Sequence, residues 1–391
     1  MPELPEVEHF RQILLPFVTS RNDDTKNHRL KLSLVNQNPP KKWLTSDDVE
    51  ALSGKCYCAD VRRKGKQLCM ALNVVNDDDE IIQIRYLYLH MGMTGQIMAP
   101  NKSCSWGLKN VKIDKSGDFP PKYSYLLFET AQYKASFSDS RKFGSCFLSD
   151  DLDCFHELAP DALLADGTIV QDQIIPGLTN QSISIKALLL DQKRVISGVG
   201  NWVADEVLYQ CQLHPDQKYL TPEQAHGLFS QLQSILAEAV DCLNKDQDYP
   251  DHWLFGYRWT KKKQGSDSLG RQLTFLTSGG RTSAIVTSVQ KLRKSPSGLT
   301  ITKPGATKKP QATVVHDAKR HKTKNAVESG NVTAADSNSD TASTRPLSSS
   351  SSDDDCKHST RKRKSPPNPN YKAVMPSPAI IRRRSPRFRQ K

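Results

Sequence analysis

The chain is 391 residues long with a net charge of +13, and the charge is unevenly placed. Residues 295–391 hold 20 Lys and Arg against 7 Asp and Glu, whereas residues 1–294 hold 35 of each. That length allows two domains or more, the absence of a run of about 18 apolar residues argues against a membrane span, and nine cysteines behind an acidic start that is neither signal nor transit peptide point to a reduced, soluble intracellular protein.

In chain order, "MPELPEVE" opens with two prolines and three glutamates. Pro5 as a first-turn residue, with Glu6 and Glu8 facing the positive end of the helix dipole, starts an amphipathic helix through Val7, Phe10, Ile13, Leu14 and Phe17. To about residue 150, β-branched and aromatic runs alternate with polar turns: "CYCADVRRKGKQLCMAL", "EIIQIRYLYLHMGM", "KYSYLLFET" and "YKASFSDSRKFGSCFL" read as strands of a sandwich or barrel. The acidic "NVVNDDDE" and residues 101–122 read as surface loops. From about Asp151 the pattern turns helical, in "SISIKALLLDQKRV", "NWVADEVLYQCQL" and "TPEQAHGLFSQLQSILAEAVDCLN". The last carries Thr221 as cap and Pro222 at the first position. "RQLTFLTSGGRTSAIVTSVQKL" reads as a β-hairpin about a Gly-Gly turn. The Ser-, Pro- and Lys-rich remainder has too few apolar residues for a core, which predicts disorder. Its "RKRKSP" and "IRRRSPRFRQK" read as nuclear-import or nucleic-acid patches, or as merely solubilising charge.

Several segments carry chemistry. Removal of Met1 would make the Pro2 nitrogen a secondary amine able to attack electrophilic carbon, with Glu3 and Glu6 as acid/base candidates beside it. Arg62, Arg63, Lys64 and Lys66 form a cationic cluster suited to phosphates, or a solvated strand edge. In "ISGVGNW", Gly198 and Gly200 permit a tight turn, and the helix starting at Asn201 offers unpaired N–H groups to a phosphate; an ordinary helix junction would read the same way. Met93, Arg141 and Phe143 are the types that fill the gap left by an extruded base, although core packing uses them too. Arg281 sits at a hairpin tip, where it can meet backbone phosphate. No cysteine lies between Cys242 and Cys356, which excludes a Cys-ligated zinc there.

Together, "PELPEVE", the lysine of "KGK", "HMGMTG", "DSRKFG", "ISGVGNWVADEVLY" followed by "HP", and "GGRT" resemble the formamidopyrimidine-DNA glycosylase family, in the family's order across residues 1–292. The resemblance implies an α+β protein: an N-terminal helix with a two-layer β-sandwich (1–150), a helix-two-turn-helix domain (151–250), a zincless-finger β-hairpin (251–294) and the disordered basic tail (295–391). It implies a bifunctional glycosylase and AP lyase of nuclear base-excision repair, acting as a monomer on double-stranded DNA that contains oxidised purines or abasic sites. The tail is then a candidate contact for other nuclear repair proteins. By the same resemblance Pro2 is the nucleophile, Glu3 the general acid, Glu6 its support and Lys66 a phosphate-binding lysine of the catalytic set. Asn201 and Arg281 are phosphate clamps, His90 a backbone contact, and Met93, Arg141 and Phe143 the void-filling set. No metal and no cofactor are implied.

Two departures matter. The finger lacks the cysteines of bacterial members, so its hairpin is expected to rest on apolar packing through Leu273, Phe275, Ile285 and Val286. The stretch from Asn244 to Ser268 lacks a counterpart of the loop that covers 8-oxoguanine, which favours formamidopyrimidines, hydantoins and abasic sites as substrates. The alternatives are a nuclear damaged-DNA-binding protein without catalysis, and an endonuclease VIII-like enzyme for oxidised pyrimidines. The latter branch typically has glycine where Leu4 stands.

Overall fold

The computed structural model describes residues 1–19, 28–36, 38–100, 118–164, 169–179, 182–259 and 265–293. The basic tail and most of the expected loop at 101–122 lie outside the described residues. Helix α1 spans Leu4–Leu14 and starts one residue before the expected Pro5. It is followed by β1 (Lys31–Leu34) and α2 (Ser46–Leu52). Neither was anticipated from the sequence, although Thr45 and Asp48 form a reciprocal capping box at the start of α2 that a search for the cap spacing would find.

The run "CYCADVRRKGKQLCMAL" folds back on itself as β2 (Cys56–Lys64) and β3 (Gln67–Val75). Gly65, at φ +57°, makes the turn, in a backbone region that side chains resist. Then come β4 (Ile81–His90), β5 (Gly95–Met98), β6 (Ser124–Glu129), β7 (Lys134–Asp139) and β8 (Ser145–Ser149). They form two four-stranded sheets, ordered β2-β3-β4-β8 and β1-β6-β7-β5, and every pairing within them is antiparallel. β7 and β8, read as one run, thus part into different sheets.

The core of this half collects Leu68, Leu72, Leu89, Phe128 and Phe137 from the strands with Val7 and Phe10 of α1. Each such side chain contributes about 1.5–3 kcal/mol when fully buried.

Among the described residues five α-helices follow, α3 (Asp153–His156), α4 (Ile175–Thr179, continuing a π-helical turn over Val170–Ile174), α5 (Ile185–Leu190), α6 (Asn201–Gln210) and α7 (Pro222–Asn244). Thr221 caps α7 through the Gln224 N–H at 3.2 Å, as its sequence signals. The hairpin of β9 (Thr274–Ser278) and β10 (Arg281–Ile285) turns at Gly279 and Gly280, both at positive φ. Helix α1 bridges the two cores. Leu4 is fully buried in the helical core, while Val7 three residues on is buried in the sandwich core. The start of the chain is therefore wedged at the junction of the two halves.

Candidate active site

The backbone around "ISGVGNW" shows why its glycines are needed. A Cβ on Gly200 would stand 2.2 Å from Glu3 Cδ, and one on Gly198, at φ +102°, would stand 2.3 Å from Leu4 Cδ1. The turn is shaped to admit residues 3 and 4 of the chain itself. The Trp202 and Val203 N–H groups at the start of α6 donate to the two Glu3 carboxylate oxygens at 2.9 and 3.0 Å, and Leu4 N–H donates to the Gly198 carbonyl at 3.2 Å. This corrects the expectation that those N–H groups await a phosphate: they hold Glu3, whose charge suits the positive end of the helix.

Glu6 lies directly behind. Its Oε2 accepts from the Glu3 N–H at 2.8 Å and its Oε1 from the Tyr249 hydroxyl at 3.2 Å. Burial, reinforced by the neighbouring Glu3 charge, pushes the Glu6 carboxyl up to about 7. A carboxyl poised there can give or take a proton near neutrality. Pro2, between Met1 and Glu3 in the chain, is buried. The amine at this end of the chain is that of Met1, which burial holds below its ordinary value.

Lys66 reaches the same place from the β2–β3 turn. A Cβ on Gly65 would meet Ser197 at 3.1 Å, so this turn packs onto the glycine turn. Burial lowers the Lys66 pKa, the Glu3 and Glu6 charges raise it, and Arg281 lowers it further. The expected cationic cluster does not exist as a unit, because alternation along β2 sends its members to different places. Arg63 is buried and donates to Glu8 at 2.8 Å and to Asp161 at 3.1 Å. Arg62 pairs with Asp60, and the Lys64 ammonium donates to the Phe155 carbonyl. Arg63 thus ties α1 to the helical half and takes no part in the cleft.

Asn201 donates through Nδ2 to the Thr282 carbonyl at 3.1 Å, which links the start of α6 to the finger strand that begins at the exposed Arg281. The finger is held by more than the expected apolar contacts. Leu273, Ala284 and Val286 do pack on Tyr209 and Leu254, with Phe275 partly buried against them and Ile285 buried as well. In addition the fully buried Lys186 ammonium on α5 donates to Asp205 of α6 and to the Ser283 hydroxyl. Asp205 also accepts from Arg258 at 2.7 Å and from the Ala284 N–H at 3.3 Å. Sequence reasoning missed this cluster, since nothing in local spacing pairs residues 186, 205, 258 and 283.

Met93, Arg141 and Phe143 stand on adjoining loops after β4 and β7. Buried Asp139 joins the two loops by accepting from Thr94 Oγ1 and from the Arg141 and Gly144 N–H groups, the latter two at 3.1 and 2.7 Å. The Arg141 guanidinium lies 5.0 Å from the centroid of the Phe143 ring, which is 55% exposed. His90, at the end of β4, accepts the Gly92 N–H on Nδ1, and burial with the Lys66 charge keeps its pKa below the ordinary value.

A cleft of about 470 Å³ brings Met1, Glu3, Lys66, Met93, Asn201 and Arg281 together from both halves and the finger. Pro2 and Glu6, both buried, and His90, Arg141 and Phe143 fall outside its lining. Arg258 and Trp259 line it and were missed. The signal was present as the density of aromatic residues in "DYPDHWLFGYRW". A larger cavity of about 840 Å³ borders Glu8, Arg63 and Asp161, but those charges are already paired with one another. Among the described residues no group of three or more His, Cys, Asp or Glu is placed to hold a metal ion, and no helix is long and apolar enough to cross a membrane.

Two family models match the chain: the formamidopyrimidine-DNA glycosylase N-terminal domain over residues 1–146 and the formamidopyrimidine-DNA glycosylase H2TH domain over residues 158–247. A formamidopyrimidine-DNA glycosylase of Arabidopsis thaliana is 33% identical over 301 residues, covering 75% of this chain and 71% of the relative. One from Roseobacter denitrificans is 29% identical over 260 residues, covering 62% and 79%. Among solved structures, the MutM (Fpg) protein of Thermus thermophilus superimposes with a TM-score of 0.53 at 25% identity, covering 75% of this chain and all of that one. A Lactococcus lactis Fpg mutant bound to DNA containing Fapy-dG gives 0.54 at 21% identity over 74% of this chain, a likeness of fold.

Proposed function

The chain belongs to the formamidopyrimidine-DNA glycosylase family, whose members excise oxidised purines in base-excision repair, and from that premise we propose that it is a bifunctional DNA glycosylase and AP lyase that works through the Pro2 amine. The observation that carries this reading is the convergence of Glu3, Lys66, Asn201 and Arg281 on one cleft at the start of the chain. Once Met1 is removed, the Pro2 nitrogen attacks C1′ of the damaged nucleotide and the bond from C1′ to the base breaks. The base leaves as an anion and is protonated by water. The proton shed by the attacking Pro2 nitrogen passes to the Glu3 carboxylate, which returns it to the sugar ring oxygen and opens the ring, and the nitrogen lone pair so freed forms an iminium at C1′. Loss of a C2′ proton expels the 3′ phosphate, a further elimination expels the 5′ phosphate, and water releases the enzyme. Glu6, buried and near-neutral in pKa, is the reservoir for these protons. Lys66 and Arg281 neutralise phosphates flanking the lesion, Asn201 hydrogen-bonds to them, and Met93, Arg141 and Phe143 occupy the gap it leaves.

In this reading formamidopyrimidines, hydantoins and abasic sites are the preferred lesions, the finger works without zinc, and the protein acts as a monomer in the nucleus. The basic runs of residues 295–391 support nuclear entry and a salt-sensitive, sequence-independent share of DNA affinity. Borohydride reduction during turnover tests the reading. A covalent protein–DNA adduct is expected on duplexes bearing an abasic site or a formamidopyrimidine, strongly reduced in Pro2→Gly. Absence of an adduct from protein whose mass shows Met1 removed overturns the mechanism. Retention of Met1, which locks the Pro2 nitrogen in an amide, favours a damage-binding protein without catalysis.

A further inference from the structure

Arg258 and Trp259 line the cleft with Glu3 and Lys66, yet the chemistry above uses neither. Trp259 is 49% exposed, an unusual state for the largest side chain, whereas Trp202, which also borders the cleft, is buried. The Trp259 ring meets Phe255 edge-on, with centroids 6.1 Å apart. The Arg258 guanidinium covers one face, 4.6 Å from the centroid. That guanidinium is itself fixed: Nη2 donates to Asp205 at 2.7 Å and to the Asn201 carbonyl at 3.4 Å, and the side chain is only 6% exposed. Asp205 is held in turn by Lys186. The indole is thus held against Phe255 and covered on one face by a guanidinium that is itself fixed, and it lines the cleft with half of its surface exposed.

A rigid, half-exposed aromatic plane beside a nucleotide-sized cavity and a cationic group is the arrangement on which an unstacked base recovers the stacking it lost. We propose that Trp259, braced by Arg258, is the stacking platform for the base extruded from the duplex, and that it favours planar lesions. The proposal rests on the glycosylase reading. A formamidopyrimidine keeps a flat six-membered ring that can lie fully on an indole. In a spirocyclic hydantoin the two rings stand perpendicular, so only one can overlap the platform. Removal of the indole should therefore penalise the first lesion more than the second, and should not touch a site that has no base at all.

Single-turnover rates for wild type, Trp259→Ala and Trp259→Phe on duplexes bearing a formamidopyrimidine, a spirocyclic hydantoin or an abasic site test this. Trp259→Ala is expected to slow release of the formamidopyrimidine by about ten- to a hundredfold, the range that loss of one base–aromatic stack produces. Hydantoin release should fall by a smaller factor, Trp259→Phe should retain most activity, and abasic-site cleavage by both variants should match wild type. Wild-type release of the formamidopyrimidine by the alanine variant, or an equal loss on abasic DNA, overturns the platform. If wild type acts on none of the three duplexes, the glycosylase reading falls and the platform with it; if wild type is active and the alanine variant is indistinguishable from it, the platform alone falls.

Discussion

The sandwich half and the helical half with its finger reach the same cleft by different physical means. The sandwich closes its core by hydrocarbon and aromatic packing, such as the T-shaped contact of Trp43, from the segment before α2, with Phe137 of β7 at 4.9 Å. It presents Met93, Arg141 and Phe143 on loops at its margin. The other half buries charge: Lys186, Asp205 and Arg258 in one cluster, and Glu206 accepting from the Leu254 and Phe255 N–H groups at 3.2 and 2.8 Å. Apolar packing sets distance but little direction, whereas hydrogen-bonded ions set both. The sandwich uses the directional means at its margin, where buried Asp139 ties the loops of Met93, Arg141 and Phe143, whereas the side that must hold Glu3, Asn201 and Arg281 in register uses them in its interior.

The largest expected effect comes from removing the shared anion. Asp205→Ala leaves two buried cations with neutral hydrogen-bond partners but no counter-charge and should cost about 3–5 kcal/mol in denaturant unfolding. Adding Lys186→Met should recover much of that loss, because a buried ion pair is costly mainly when half of it is missing. A cavity such as Phe137→Ala in the sandwich should cost a similar 3–5 kcal/mol but should gain nothing from any change of charge. If Lys186→Met fails to help, the two halves differ less than the structure indicates.

Next in size is pH dependence. Glu6 and Glu206, on α1 and α6, are each pushed up to about 7, mainly by burial, from an ordinary value of 4.5. The folded protein therefore holds protons that the unfolded chain releases between those values. Their contribution to stability is full below about 4.5 and is lost as pH rises through about 7. For Glu6 alone the loss is on the order of 3 kcal/mol. Unfolding midpoints of wild type and Glu6→Gln at pH 5, 6, 7 and 8 should show the wild type falling more steeply. Parallel lines would remove Glu6 from the account.

The smallest effect sharpens the comparison most. Gly200→Ala drives a methyl group into Glu3 and should cost about 1–3 kcal/mol by overpacking, with base release and abasic-site cleavage both lost as the carboxylate leaves α6. Gly227→Ala, inside α7, where an added Cβ meets nothing within 4 Å, should instead stabilise by about 0.5–1 kcal/mol and leave turnover unchanged.

Much of this protein was legible as sequence because it is written in local terms. The cap at Thr221, the start of α6 at Asn201 and the Gly279–Gly280 turn each need only neighbouring residues, and each stands where the pattern predicts. The gathering of Glu3, Lys66, Asn201 and Arg281 was legible only through the resemblance to a known family, since their spacing spans nearly three hundred positions. β1 and α2 were missed because they are short and break no period around them.

What the sequence determined by itself is the order of elements, the polarity of each face and the residue types available to the cleft, all set by propensity, periodicity and turn sterics over a few residues. Only the tertiary structure decided where buried polar groups found partners. It placed the Glu3 carboxylate on the N–H groups that a phosphate was expected to take, drew Arg63 away from its cationic neighbours to Glu8 and Asp161, and braced Trp259 with Arg258. The reason is that burial leaves a donor or acceptor no water to fall back on. Its partner must come from whatever distant segment the packing brings within 3 Å or so, and that choice is not encoded at any single position along the chain.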